Sequence, residues 1–227
     1  MNSKLAPYRD RQHAGRVLAT LLAQYRDKKD VLILALPRGG VAVGYEISRA
    51  LRAPLDIFLV RKLSLPGHEE YAIGAIASGG VQVFNNLADS VINQEELDAE
   101  IAKEWSELRR REKLYRGLRA AQTLQNRCVI VVDDGLATGS TMRAALIAIR
   151  RQHPSHLAVA VPVGPQNTCQ SLRDQADEVI CALTPTPFYS VGMWYQNFPQ
   201  ASDDEVCLLL ADADRLHLLD LRAGVSK

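Results

Sequence analysis

The chain has 227 residues, 47% of them hydrophobic and 23% charged, and its 27 Lys and Arg against 26 Asp and Glu leave a formal net charge of +1. That length suits one α/β domain whose core needs no staple, and the composition is that of an ordinary globular protein rather than a disordered chain. Near-neutral charge argues against bulk electrostatic capture of nucleic acid, so no nucleic-acid partner is expected.

In chain order, Arg9–Arg26 spaces Ala14, Val17, Leu18, Leu21, Leu22 and Tyr25 along one helical face. Val31–Leu36 is apolar without interruption and stops at Pro37, which reads as a central parallel strand. A helix from about Val41 to Arg52 and a strand at Leu55–Val60 follow. Arg61–Tyr71 is polar and contains Pro66 and Gly67, so it reads as a loop; Ala72–Ala77 and Val81–Phe84 flank Ser78-Gly79-Gly80 as a β-hairpin. A long helix is expected from about Gln94 to Leu118, with Glu95, Glu96, Asp98 and Glu100 at its start and Arg109, Arg110, Arg111, Lys113 and Arg116 towards its end, as the macrodipole favours. The solvated face of that helix accounts for its basic run.

The strand Cys128–Val132 precedes a helix over about Gly139–Arg151, a strand Leu157–Val163, a short helix near Gln166–Asp174 and a strand Val179–Leu183. Thr184–Gln200, rich in Pro and aromatics, reads as irregular, and Ser202-Asp203-Asp204-Glu205 is a capping box opening a last helix to about Leu221. Buried strands alternating with helices predict an α/β fold with a mostly parallel, doubly wound sheet, as a single domain over 1–227 with its core at about 31–183. Ligands of such sheets lie at the carboxyl ends of the strands.

Four cysteines, Cys128, Cys169, Cys181 and Cys207, form no CxxC pair, and each is expected as a buried, reduced thiol. Met1–Asp10 has no apolar stretch of signal-peptide length, and the longest apolar runs fall far short of a bilayer span. A cytoplasmic location without membrane contact is the expectation.

The strand-end loops carry the chemistry. Val129-Ile130-Val131-Val132 ends in Asp133-Asp134, followed by Gly135, Leu136, Ala137, Thr138, Gly139, Ser140 and Thr141 at a helix start. Unpaired amides and the positive dipole end of that helix, with three hydroxyls and a close-approach glycine, are suited to a phosphate. Two adjacent acids would repel that phosphate unless they serve a sugar diol or a Mg²⁺ ion. The absence of a Lys rules out a Walker P-loop. A second turn, Leu36-Pro37-Arg38-Gly39-Gly40, combines exposed amides with a guanidinium fork and suits a pyrophosphate.

Together these segments resemble the type I phosphoribosyltransferases, whose 5-phosphoribosyl-1-pyrophosphate (PRPP) motif is a hydrophobic strand, an acid pair, a few variable residues, Thr-Gly and a hydroxyl residue. The resemblance implies that Asp133 and Asp134 hold the ribose hydroxyls, with Gly135 and Leu136 continuing the loop and Ala137–Thr141 wrapping the 5′-phosphate. It implies that Arg38, Gly39 and Gly40 bind pyrophosphate, and that Arg61 and Lys62, on a flexible loop, reach the same group as it leaves. Mg²⁺ is the implied cofactor, bridging PRPP oxygens and meeting Asp133 and Asp134 only indirectly through the diol. A hood at 184–200, with help from the N-terminal segment, would select the nucleophile, and Phe188 or Tyr189 could stack on a planar acceptor. Gly135 departs from the branched apolar residue usual in the motif. Ala137 stands where enzymes for 6-oxopurines carry an Asp, which disfavours hypoxanthine or guanine. The long helix at 94–118 also departs from the smallest family members.

The implied function is transfer of the 5-phosphoribosyl group to a nitrogen nucleophile, a nucleobase or related small acceptor, with release of pyrophosphate, by a homodimer. A non-catalytic PRPP sensor on the same fold is the alternative. A Mg²⁺-dependent hydrolase using the acid pair lacks its further acids and Lys.

Overall fold

A computed structural model describes residues 7–65, 68–84 and 94–224. Five strands, β1 (Val31–Ala35), β2 (Leu55–Ile57), β6 (Cys128–Val132), β7 (His156–Val163) and β8 (Glu178–Leu183), form one sheet in the order β2-β1-β6-β7-β8. Every pairing is parallel. The even apolarity of β1 and β6 is explained by packing on both sheet faces. Val31, Ile33, Ala35, Ile130 and Val132 join one core cluster, while Leu32, Leu34, Val129 and Val131 join another. The first cluster lies under α1 (Arg11–Leu21), α2 (Gly39–Leu51), α3 (Gln94–Arg116) and α6 (Asp203–Gly224); the second lies under α4 (Ser140–Arg150) and α5 (Gln166–Ser171). The fold is the expected doubly wound α/β sheet.

Sequence pattern sets most of the helix ends. Asp10 caps α1 by accepting from the His13 amide at 2.7 Å. Gly15 lets α1 lie tightly on α2, since a Cβ there would stand 2.7 Å from the Val43 carbonyl oxygen. Ser202 Oγ accepts from the Glu205 amide at 3.1 Å, half of the predicted capping box. Of the cysteines, Cys128 and Cys169 are buried as expected, but Cys181 and Cys207 are only half-buried because they lie on elements that face outwards on one side; all four are free.

The region after β2 differs from expectation. The strand predicted as Leu55–Val60 ends at Ile57, and a new one, β3 (Val60–Leu65), pairs antiparallel with β4 (His68–Ala77), which pairs in turn with β5 (Val81–Phe84). Much of the polar stretch predicted as a loop, Arg61–Tyr71, is therefore strand; Pro66 and Gly67 lie outside the described residues. The physical reason is that this small sheet sits between two helices. Leu63 is fully buried beneath α3, while its neighbour Lys62 opens towards α4. Tertiary packing overrides the polar local signal. The hairpin turn itself is as predicted, with Gly79 and Gly80 at φ of +83° and +78°.

The long helix α3 ends two residues before the predicted Leu118, as Gly117 takes a φ of +58°. Its last turn is anchored in the core: Arg116 pairs with Asp56 at 2.9 Å, their side chains only 8% and 6% exposed, and also donates to the Ile57 carbonyl at 2.7 Å. Tyr115 donates to Asp203 at 2.6 Å, and Arg119 pairs with Asp214, so α3 also ties down α6. Among the described residues, no helix is long and apolar enough to cross a membrane.

Candidate active site

Strand order reverses direction between β1 and β6: α2 leads from β1 to the edge strand β2, whereas α4 leads from β6 towards β7. The two loops at this point diverge to opposite faces, which opens the crevice where such sheets bind ligands. Both loops singled out in the sequence emerge there. The Leu36 amide donates to the Val132 carbonyl at 2.9 Å, and the segments then pack with no spare room. A Cβ at Gly39 would lie 1.9 Å from Asp134 Oδ2, and one at Gly40 would lie 2.7 Å from the Val132 carbonyl oxygen. The glycines are required by this approach. Arg38 forms the N-cap of α2 and lies 3.8 Å from Asp203 at the start of α6. The Pro37–Arg38 peptide is cis.

The two carboxylates meet different surroundings. Asp133 is partly buried and its Oδ1 accepts from the Asp134 amide at 2.8 Å. Burial first, and then the charge of Asp134, push its carboxyl well above the usual carboxylate range. Burial also raises the Asp134 carboxyl, but a hydrogen-bonded cation opposes the shift. That cation is Arg11 of α1, whose Nε donates to Asp134 Oδ2 at 2.7 Å; the two side chains are 12% and 16% exposed.

The loop after Asp134, expected to hold the phosphate, turns directly into α4. Leu136 is buried and its amide donates to the Val163 carbonyl at 2.8 Å. Gly139, at φ +74°, is the N-cap of α4 and has no side chain to cap it, while the Ser140 amide donates to Thr138 Oγ1 at 3.4 Å. Thr138 Oγ1 and Ser140 Oγ lie 3.0 Å apart, and Ala137, Thr138, Ser140 and Thr141 are exposed. The departure at Gly135 is explained by the hood: a Cβ would stand 2.5 Å from Val191 Cγ1.

The hood is built from two distant segments, 188–199 and the N-terminus. The Tyr8 amide donates to the Trp194 carbonyl at 3.2 Å, and the amides of Gln196 and Asn197 donate to the carbonyls of Tyr8 and Arg9, each at 2.8 Å. Tyr195 donates its hydroxyl to the Asp134 carbonyl at 2.6 Å and stacks on Phe198, with ring centroids 4.7 Å apart. The Arg11 guanidinium lies 3.8 Å from the Phe198 ring centre and donates to the Pro199 carbonyl at 2.6 Å. The acid pair is thus roofed by Arg11, Tyr195 and Phe198. Of the aromatics singled out in the sequence, Tyr189 is 76% exposed, and Phe188 packs against the Tyr8–Tyr195 cluster and lines a cavity of about 600 Å³ with Pro165, Gln166 and Asn167. A groove of about 610 Å³ lies away from these loops between α1 and α2.

The two hairpin cations part company. As consecutive strand residues they face opposite ways. Arg61 donates to the buried Glu104 of α3 at 2.5 Å. Lys62 is exposed and lines a cavity of about 430 Å³ with Ser140, Thr141 and Arg143 at the start of α4. Arg61, expected at the pyrophosphate, is therefore held by α3, because a strand, unlike a loop, cannot send successive side chains to one face. Arg11 went unmarked in the sequence, and Tyr195 and Phe198 were read only as part of the hood stretch at 184–200. Nothing in the spacing of Arg11 sets it apart from Arg9 or Arg16, and only the long-range fold brings it to Asp134.

Comparison with known proteins agrees with this arrangement. Residues 63–192, more than half of the chain, match the sequence profile of the phosphoribosyl transferase domain. Two curated proteins from strains of Mycobacterium tuberculosis, each provisionally named a phosphoribosyl transferase, are 43% identical over 217 residues, covering 95% of this chain and 48% of theirs. The chain thus spans about half the length of these relatives. The crystal structure of TT1426 from Thermus thermophilus superposes with a TM-score of 0.80 at 38% identity, covering 90% of this chain and 98% of that one. An acid pair and a glycine-capped helix start meeting at the switch point of a doubly wound sheet, within a matched profile, place this chain in the phosphoribosyl transferase domain family.

Proposed function

We propose that the domain binds PRPP across the crevice and transfers its 5-phosphoribosyl group to a nitrogen nucleophile, a nucleobase or a related small acceptor. The observation that carries this reading is the junction of the two loops, with Gly39 packed against Asp134 and the glycine-capped N-terminus of α4 beside them. In this reading Asp133 and Asp134 accept hydrogen bonds from the ribose 2′- and 3′-hydroxyls. The amides and hydroxyls at Ala137–Thr141 take the 5′-phosphate, with Lys62 adding charge from the hairpin. Arg38 and the Gly39 amide take the pyrophosphate; the Gly40 amide, expected there too, donates instead to the Leu36 carbonyl at 3.1 Å. The C1–O bond to pyrophosphate breaks, a C1–N bond forms, and the nucleophile releases its proton. The transition state carries positive charge on the ribose ring, which the acid pair favours, and negative charge on the leaving group, which Arg38 offsets. Arg11 holds Asp134 in a fixed rotamer, so positioning precedes chemistry.

The donor set bears on Mg²⁺. Among the described residues, no three His, Cys, Asp or Glu side chains stand together as a metal cage. Two carboxylates beside a phosphate site instead fit an ion carried mainly by ligand oxygens, with Asp133 and Asp134 as outer partners. Bound in that way, Mg²⁺ supplies charge neutralisation at the departing pyrophosphate. Ala137, lacking a carboxylate, keeps 6-oxopurines the less favoured acceptors. A homodimer belongs to the same reading, and a monomer by light scattering at working concentration overturns it.

One observation favours the alternative, a non-catalytic PRPP sensor: Arg61 is engaged by Glu104 instead of facing the crevice. A single assay separates the two. PRPP and Mg²⁺ are mixed with pooled nucleobases and small amines, and pyrophosphate release is read with nucleotide masses, using Asp134→Asn as control. Release with a new nucleotide mass supports transfer. PRPP binding without release from any pool supports the sensor, and no PRPP binding refutes both.

A further inference from the structure

The phosphate loop is fastened from behind. Thr168, buried on α5, donates its hydroxyl to the Ala137 carbonyl at 3.2 Å. Arg143 on α4 donates through Nη2 to the Thr138 carbonyl at 3.2 Å and through Nη1 to Ser171 Oγ at 2.9 Å. Ser171 Oγ in turn donates to the Thr168 carbonyl at 2.8 Å, which closes the network. Below the turn, the Thr168 methyl fills the space where a Cβ at Gly139 would stand, 2.7 Å away. Two consecutive carbonyls of the loop are thus drawn towards α5.

The consequence follows from peptide geometry. In a trans peptide the C=O of one residue and the N–H of the next point in opposite directions. Tying back the Ala137 and Thr138 carbonyls turns the Thr138 and Gly139 amides away from α5. Among the described residues neither amide has a protein acceptor. The local bonds of the loop, between Thr138 Oγ1 and the Ser140 hydroxyl and amide, leave the Ala137 and Thr138 carbonyls unheld, and without the ties a loop of small residues has many accessible conformations.

We propose that Arg143 and Thr168 are positioning residues of the phosphate loop, which tie back its carbonyls and so aim its amides at the phosphate of a phosphoribosyl ligand. The proposal rests on the reading of Ala137–Thr141 as the 5′-phosphate site. It adds to that reading two residues outside the motif that set the affinity of the motif. Both act through the loop backbone, to whose carbonyls they donate.

The test uses the full chain, calorimetry, and two probes: ribose 5-phosphate for the phosphate loop and inorganic pyrophosphate for the Arg38 turn. Thr168→Val keeps the methyl beneath Gly139 and removes the donor. Its affinity for ribose 5-phosphate is expected to fall roughly tenfold, and that of Arg143→Met by more, since a charged donor is lost. Thr168→Ser, which keeps the hydroxyl, restores most of the binding. Pyrophosphate affinity stays at the wild-type value in all three variants, which a general loss of structure would not allow. Should Arg143→Met fail to fold, Arg143→Lys replaces it, as it keeps the charge but cannot bridge both partners. Wild-type affinity for ribose 5-phosphate in folded Thr168→Val and Arg143→Met overturns the proposal, as does an equal loss of both probes. Failure of the wild-type chain to bind ribose 5-phosphate while it binds pyrophosphate overturns the phosphate-site reading itself, and the proposal with it.

Discussion

Replacing Asp133 with Asn is expected to stabilise the free protein at neutral pH while it weakens PRPP binding severely. Burial and the neighbouring Asp134 charge hold the Asp133 carboxyl well above the usual range, so the native state binds this proton more tightly than the unfolded chain does. The stability gained in that way is complete below the unfolded value of about 4 and is lost as pH rises through the native value. As pH rises through that native value the carboxyl ionises with only partial compensation, since Arg11, whose charge also opposes the Asp133 shift, is hydrogen-bonded to Asp134. Asn removes that charge and keeps an oxygen for the Asp134 amide, now accepted at 2.8 Å. A gain of roughly 0.5–2 kcal/mol is the usual size of such relief at a functional site, or about 2–4 °C in Tm per kcal/mol for a chain of this length. Asp134→Asn is the contrast. It strands Arg11, whose side chain is 12% exposed, at a cost of about 1–3 kcal/mol, and should not raise Tm. Scanning calorimetry from pH 4 to 8 on the three proteins decides the matter. The Tm advantage of Asp133→Asn should widen as pH rises. An advantage that is constant with pH, or a variant less stable than wild type at pH 7, refutes the reasoning.

Arg61→Met should lower stability by about 3 kcal/mol by leaving the buried Glu104 unpaired, whereas Lys62→Met should leave Tm nearly unchanged and make PRPP binding weaker and less sensitive to salt; the opposite pattern in thermal melts and titrations would restore Arg61 to the crevice. Gly135→Val drives its side chain into Val191 and should cost about 1–3 kcal/mol, much of it recovered by adding Val191→Ala; strict additivity in a double-mutant cycle would show that the two do not meet. Arg116→Met isolates the buried Asp56 carboxylate and should lower stability by about 3–5 kcal/mol in denaturant melts, and a loss below about 1 kcal/mol would mean that α3 is not anchored there.

Much of the fold was legible because its signals are local. Val31–Leu36 and Cys128–Val132 are apolar on both faces, a pattern that only a doubly covered strand satisfies, and each lies where expected. The strand, acid pair, small loop and helix start at 129–141 are contiguous, so their arrangement needs only the local backbone. The capping signal at Ser202 and the glycine turn at 79–80 are likewise carried by a few adjacent residues. What the hairpin strands do was not legible, because Arg61 and Lys62 are polar and only their position between α3 and α4 makes them strand residues on opposite faces.

The hood shows the same division. Its aromatic richness was visible at 184–200, but the choice of Tyr195 and Phe198 over Phe188 and Tyr189 depends on which rings meet α1 in space. Sequence alone determined the layered sheet, the two strand-end loops and the chemistry their side chains can offer, since these follow from periodicity and from contiguous residues. Tertiary structure decided that the loops touch, that Arg11 pairs with Asp134 across 123 positions of chain, and that α5 braces the loop at Ala137–Thr141. Those are contacts between segments far apart in sequence, set by how helices pack on a sheet, and no local pattern of residues encodes them.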